Sequence, residues 1–367
     1  MDGTAAVTTQ RVVLFAGDDP LALTCGRVLA PVEVAFTTHG TLAADASNAV
    51  FVCHALTGDA HAAAPDGWWR TLVGPGLPVD TDRFFVITPN LLGGCRGTTG
   101  PSSVDPATGR PYGLDFPPLT IADLVAVHRR LLRHLGVTRL HAAIGGSLGG
   151  MQVLQWLLDR PDEVARAVMI GASARLSAQN VALSAAARGA ILADPDFRDG
   201  RYLEHGVRPG AGLATARRLA HVTYLSEHGM QRRFAAPAAD PAASTPDARA
   251  WLASRLPVEH YLDHQAEEFL GRFDALSYLY LSRVMDDFDP FAQVAPGGPD
   301  LSVDATVISF DSDWRFGPEH GARLAAGLRE RGTRSVRELV LETDAGHDAF
   351  LLDVPGYREA VTAALGD

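Results

Sequence analysis

Between an apolar run at 140–144 and an amphipathic segment at about 148–158, the 367-residue chain reads Gly145-Gly-Ser147-Leu-Gly149. A Gly-x-Ser-x-Gly turn joining a strand to a helix constrains this chain more than any other feature. The strand must turn so sharply that the serine takes strained backbone angles, and glycines on either side let the two backbones approach. The strain projects the Ser147 hydroxyl above the end of a sheet. The next backbone N–H, at Leu148, sits at a helix N-terminus and is placed to stabilise an oxyanion. The bland alternative is a glycine-rich turn carrying a solvated serine. The strand and helix on either side favour a nucleophile.

Around that turn, short β-branched runs alternate with helical patterns, which predicts a largely parallel sheet with crossover helices. Predicted strands are 32–38, 49–53, 83–88, 140–144, 165–170, 305–310 and 336–341. One helix opens at Thr120, with Asp123 three residues on in a capping-box pattern, and Gly136 closes it. Others are predicted over 148–158 and 318–331, and from about Pro355. From about Ala174 to Asp289 the strand signals stop. Helical patterns such as 273–285 continue there, joined by Gly/Pro/Ala-rich loops such as 237–246. The predicted organisation is an α/β core of residues 1–173 and 290–367, interrupted by a helical lid insertion over 174–289.

A serine is a weak nucleophile alone and needs a base, which needs an orienting acid. Chains built on such a turn place the acid and then the histidine after the serine. His347, just past the last predicted strand, is the histidine candidate. His320 lies inside a predicted helix, where a surface role is expected. The loop after strand 305–310 offers Asp311 and Asp313; Asp313 is the first choice and Asp311 its rival, and loop capping is the bland role for either. A second oxyanion donor is expected after strand 49–53, and the Leu56 backbone is the candidate. His54, Asp59 and His61 lack a metal-binding arrangement, so no metal is expected.

Composition bounds the partners. Lys and Arg number 32 against 43 Asp and Glu, a formal net charge of −11. That lacks the basic footprint of a general nucleic-acid binder, and an anionic substrate would need local arginines. Cys25, Cys53 and Cys95 are too few and too scattered for a disulfide framework or a zinc site. No apolar run is long enough for a membrane span, and the start shows no signal-peptide pattern. A cytoplasmic protein acting on small molecules is the expectation.

Taken together, these residues resemble the homoserine O-acetyltransferases of methionine biosynthesis, in the α/β-hydrolase superfamily. The similarity runs from about Val32 to the C-terminus. It is carried by His54-Ala-Leu-Thr-Gly-Asp59, Gly67-Trp-Trp69, Gly74-Pro-Gly76, Asp80-Thr-Asp-Arg-Phe-Phe85, Asn90-Leu-Leu-Gly-Gly-Cys95 and Gly97-Thr-Thr-Gly-Pro-Ser-Ser103. Further on it includes Gly145-Gly-Ser-Leu-Gly-Gly-Met-Gln152, Ser312-Asp-Trp314 and Gly346-His-Asp348. The resemblance implies an α/β-hydrolase fold, with a mostly parallel central sheet, helices on both faces and a helical lid. It implies the triad Ser147, Asp313 and His347, which favours Asp313 over Asp311.

It also implies that Arg217, in the segment running to Tyr224, clamps an amino acid's carboxylate, a task suited to a planar bidentate donor. Asp348 would accept the ammonium. The bland alternative for Arg217 and Arg218 is a solvated helix face. The implied activity is ping-pong transfer of an acetyl group from acetyl-CoA to the side-chain hydroxyl of L-homoserine. Acetyl-CoA is then a substrate, with no permanently bound cofactor and a homodimer formed through the lid helices. The chain departs from the pattern at Leu148, where many members carry Met, and at Arg315-Phe-Gly-Pro318, where an apolar residue is usual. A cation so near the triad makes succinyl-CoA the alternative donor. Serine as acceptor, and hydrolysis by an esterase, are the remaining readings.

Overall fold

The computed structural model describes residues 8–235, 247–253, 256–293 and 301–366. The predicted loop 237–246 lies outside them. Eight strands form one sheet: β1 (Gln10–Phe15), β2 (Val32–His39), β3 (Ala49–Cys53), β4 (Phe85–Pro89), β5 (Leu140–Gly146), β6 (Val164–Ile170), β7 (Asp304–Phe310) and β8 (Ser335–Leu341). Their spatial order is β1-β2-β4-β3-β5-β6-β7-β8. The pairs β1–β2 and β2–β4 are antiparallel, and every later pair is parallel. β3 is buried along its whole length, as its unbroken apolar run requires of a central strand covered on both faces. β1, which the sequence reading passed over, is an edge strand with Val12 and Leu14 half-buried, Val13 exposed and Phe15 buried.

Two crossover helices set the site. α1 (Ile121–His134) starts at Thr120, whose side chain accepts from the Asp123 N–H while Asp123 accepts from the Thr120 N–H. α2 (Leu148–Asp159) starts directly after Ser147, and nine of its residues from Leu148 to Leu157 are buried. Apolar side chains cover the sheet on both faces, with Phe51, Leu131 and Trp156 in one cluster and Trp69, Phe310 and Tyr357 in the other.

Between β6 and β7 the described residues hold helices and loops only. The helices are α3 (Ala178–Leu192), α4 (Gly210–Tyr224), α5 (Glu227–Phe234), α6 (Ala248–Ala253), α7 (Pro257–Leu270), α8 (Ala275–Asp286) and α9 (Pro290–Gln293), with a 3₁₀ segment at Pro195–Gly200. α4 packs between α3 and α7. After β7 come α10 (Pro318–Glu330) and, past β8, α11 (Tyr357–Leu365). His320 lies in α10 as predicted, but the surface role expected for it is wrong. It is 3% exposed, and its Nδ1 lies 2.7 Å from the Ser173 hydroxyl, because the first turn of α10 packs on the loop leaving β6. Among the described residues no helix is long and apolar enough to cross a membrane.

Candidate active site

Ser147 holds φ 55° and ψ −122°, in the positive-φ region that costs a side-chain-bearing residue about 1–3 kcal/mol. One hydrogen bond and the close approach of three backbones hold it there. Its N–H donates to the Ile170 carbonyl of β6 at 2.9 Å. A Cβ on Gly149 would run into the Cys53 carbonyl, and one on Gly145 into the Gly149 backbone. The glycines of the motif are therefore required by the close approach of β3, β5 and α2.

The residues predicted far apart in sequence meet at Ser147. His347 Nε2 lies 3.0 Å from Ser147 Oγ, and His347 Nδ1 lies 2.7 Å from Asp313 Oδ2. With its proton on Nδ1, donated to Asp313, the imidazole turns its Nε2 lone pair to the hydroxyl. Such a chain can take the proton from Ser147. Asp313 Oδ1 accepts from the N–H groups of Arg315 at 2.9 Å and Phe316 at 2.8 Å. Burial alone would raise the Asp313 carboxyl, but the His347 charge, its hydrogen bond and those two amides outweigh it and hold it below its ordinary value. Asp311 is exposed and accepts from the Thr343 N–H at 2.8 Å, a loop-capping contact. The imidazole of His347 is walled by Phe316, Phe350 and Tyr224, with ring centroids 5.1, 5.4 and 5.8 Å away.

Ser147 opens onto a cavity of about 440 Å³ lined from both the sheet end and the insertion. Leu56, Arg217, Tyr224, Arg315, His347 and Asp348 all line it. Leu148 is fully buried, and its N–H is the first of α2, where no intrahelical acceptor exists. Arg217 is 8% exposed, so the solvated-face alternative does not hold for it; Arg218 is the half that faces outward, bonded to Asp263. The Arg217 guanidinium lies 4.7 Å from the Phe269 ring centroid and 5.9 Å from that of Tyr224, and its Nε has no hydrogen-bond partner among the described residues. Burial pushes the Asp348 carboxyl up to about 6, against the pull of His347 and Arg217. His221, one turn past Arg217, is pushed down to about 3 by burial and by Arg217 and Arg272. An overall acidic chain thus sets Arg70, Arg217, Arg272 and Arg315 around the cavity at the serine, beside Asp59, Asp66 and Asp348.

Among the remaining motif residues, Ala55, Thr57, Gly58, Asp59, Gly67 and Trp68 also line the cavity, and others hold the scaffold together. Asn90 accepts from the Ala60 N–H at 2.8 Å, and Thr98 bridges the Ala35 N–H to the Asn90 carbonyl. Trp69 Nε1 donates to the Phe350 carbonyl at 2.7 Å, which ties its loop to the turn carrying His347. His54 is held by the Leu91 N–H and the Ala55 carbonyl, and Asp59 caps the His61 N–H. Sequence reasoning passed over Gln152, which is wholly buried one turn beyond Ser147. Its only signal was an amide side chain amid the apolar residues of the first turns of that helix.

Residues 48–354 match the family described as alpha/beta hydrolase fold. The chain therefore belongs to the α/β-hydrolases. A homoserine O-succinyltransferase of a Nocardioides species is 56% identical over 98% of this chain and 98% of its own. A homoserine O-acetyltransferase of Nitrobacter hamburgensis is 47% identical over 97% of this chain and 91% of its own. Within the α/β-hydrolases, the chain is a member of the homoserine O-acyltransferase family. Among solved structures, a homoserine O-acetyltransferase from Bacillus anthracis superposes with a TM-score of 0.87 at 24% identity, covering 99% of each chain. An acetylester hydrolase from Corynebacterium glutamicum gives 0.75 at 23% identity, over 98% of this chain and 95% of its own. These last two share the fold.

Proposed function

We propose that this chain transfers a succinyl group from succinyl-CoA to the side-chain hydroxyl of L-homoserine through an ester on Ser147. His347 Nε2 takes the serine proton as Oγ attacks the thioester carbonyl, and the Leu56 and Leu148 N–H groups hold the oxyanion. His347 returns the proton to sulfur, and CoA leaves as the thiol. The homoserine hydroxyl then gives its proton to His347 and attacks the acyl carbonyl. Ser147 Oγ departs, recovers that proton, and O-succinyl-L-homoserine is released. Arg217 clamps the amino acid's carboxylate beside the Tyr224 ring, and Asp348 accepts its ammonium. Water at about 55 M competes for the ester, so the helices over the cavity matter as a cover.

Arg315 carries the choice of acyl group. Its side chain is nearly buried, lines the same cavity as Ser147, donates to Thr223 Oγ1 at 3.1 Å, and forms no ion pair among the described residues. A buried cation lacking an anion is costly, by several kcal/mol. The distal carboxylate of a succinyl group would supply that anion, and an acetyl group has none. This side chain is why succinyl replaces the acetyl group that the resemblance implied. The name of the Nocardioides relative agrees with it. The test is mass spectrometry of the peptide holding Ser147 after mixing with succinyl-CoA or acetyl-CoA, followed by product analysis with homoserine present. A succinyl adduct consumed by homoserine is expected. A clear preference for the acetyl adduct would overturn the donor, and acyl release to water despite homoserine would make the protein a hydrolase.

A further inference from the structure

Three buried polar side chains beside Ser147 take no part in the proton chain. His54, at the end of β3, is 3% exposed, His128 on α1 is 1% exposed, and Gln152 on α2 is wholly buried. Burial keeps both imidazoles neutral: His128 is pushed down to about 4, and His54 is lowered despite its bond to Ala55. A neutral imidazole has one donor and one acceptor nitrogen. His54 uses both. Its Nε2 accepts from the Leu91 N–H at 3.2 Å, so its proton sits on Nδ1, which donates to the Ala55 carbonyl at 2.7 Å. That carbonyl and the Leu56 N–H belong to one planar trans peptide and point in opposite directions. Holding the oxygen against the imidazole therefore fixes where the Leu56 N–H aims. The Gly58 N–H adds a bond to the same oxygen at 3.0 Å.

Gln152 makes the second link. Its Nε2 donates to the His54 carbonyl at 3.1 Å and to the Leu148 carbonyl at 3.1 Å. Its Oε1 accepts from His128 Nε2 at 2.8 Å. Neither carbonyl can donate, so the amide must face them with its NH₂, and His128 must carry its proton on Nε2. One side chain thus ties the loop of Leu56 to the first turn of α2.

We propose that His54 and Gln152 are positioning residues for acyl transfer. His54 aims the Leu56 N–H, and Gln152 fixes its distance from the Leu148 N–H, so that both donors meet the oxyanion. The proposal rests on the reading of Leu56 and Leu148 as donors to a Ser147 acylation.

Two measurements test it: CoA released in the first turnover without homoserine, after acid quench, and kcat and KM for homoserine in the full reaction. In His54→Phe, which lacks both ring nitrogens, the burst rate and kcat should fall about hundredfold while KM stays within about twofold. In His54→Asn, whose Nδ2 occupies the place of Nδ1 and donates to Ala55, activity should recover to within about fivefold of the parent. In Gln152→Met, which keeps volume but loses the NH₂, kcat should fall about tenfold. Equal losses in His54→Phe and His54→Asn, tracking equal drops in melting temperature, would overturn the proposal, as would parental burst rates in a folded His54→Phe. If His54→Phe does not fold, Gln152→Met decides, and parental kcat in it overturns the link. A parent with no CoA burst from either acyl-CoA would instead overturn the acylation reading itself.

Discussion

Arg315 reaches from the loop after β7 to Thr223 on α4, its Nη1 donating to Oγ1 at 3.1 Å, one residue before Tyr224. The sheet end and the helices between β6 and β7 are joined at that point, and the cavity at Ser147 is lined from both. Removing the guanidinium should therefore change the donor rather than the chemistry. Arg315→Leu is expected to lower kcat/KM for succinyl-CoA by about hundredfold or more, the scale of a buried charge-assisted contact, while acetyl-CoA is used no worse than by the parent. Steady-state kinetics with both donors checks this. Equal losses with both would remove Arg315 from acyl selection.

The proton chain makes a separate prediction. Ser147→Ala should lower kcat by at least about 10⁴-fold. Asp313→Asn should cost about 10⁴-fold by offering His347 the wrong tautomer partner, with little loss of fold. Circular dichroism beside the kinetics separates the two effects. Acyl transfer near the parental rate in Ser147→Ala would exclude an ester on that residue.

Asp348 gives a pH signature. Only its ionised form attracts an ammonium group, so kcat/KM for homoserine should fall as pH drops through about 6, where burial has moved this carboxyl. The stability effect has the opposite sense. The folded state holds the proton more tightly than the unfolded chain, so the stabilising contribution is full below the unfolded value and is lost as pH rises through about 6. Asp348→Asn should then melt higher than the parent at pH 8, show no such gain near pH 4, and bind homoserine poorly at both. Thermal melts at the two pH values test it; a lower melting temperature for the variant at pH 8 counts against the buried-acid argument.

Trp69 links scaffold to catalysis. Trp69→Phe keeps an aromatic side chain at a fully buried site but loses part of the indole and its bond to the Phe350 carbonyl. The Tyr357 hydroxyl still donates to that carbonyl at 3.0 Å, so the lost bond should cost about 0.5–1.5 kcal/mol in urea unfolding, with the cavity left by the smaller ring adding to it. Because that carbonyl lies three residues past His347, kcat should fall in the same variant. Unchanged unfolding would mean that the Tyr357 hydroxyl alone satisfies the carbonyl and that the core repacks around the smaller ring.

How much of this was legible beforehand depended on where each partner lies. β3 and β5 were readable because central parallel strands are apolar on both faces, and the Ser147 turn because its glycines are dictated by local backbone contact. β1 was not, since an edge strand buries one side and its apolar residues are diluted by Gln10 and Arg11. His320 misled because a helical pattern gives the face of α10 but not that Ser173, 147 residues earlier, packs on it. Residue types alone left Asp311 and Asp313 as rivals, for the two differ in direction from the end of β7 and not in chemistry. Gln152 stood in plain view within the glycine-serine motif. Its partners, the His54 carbonyl and His128, lie 98 and 24 residues away, so nothing local announced them.

Asp313 accepts from the main chain of Arg315 and not from its guanidinium, which reaches Thr223 instead. Any residue except proline can make that bond. The turn that orients the base therefore tolerates almost any side chain at residue 315, so under the proposed role of Arg315 the donor could change there while the proton chain stays intact.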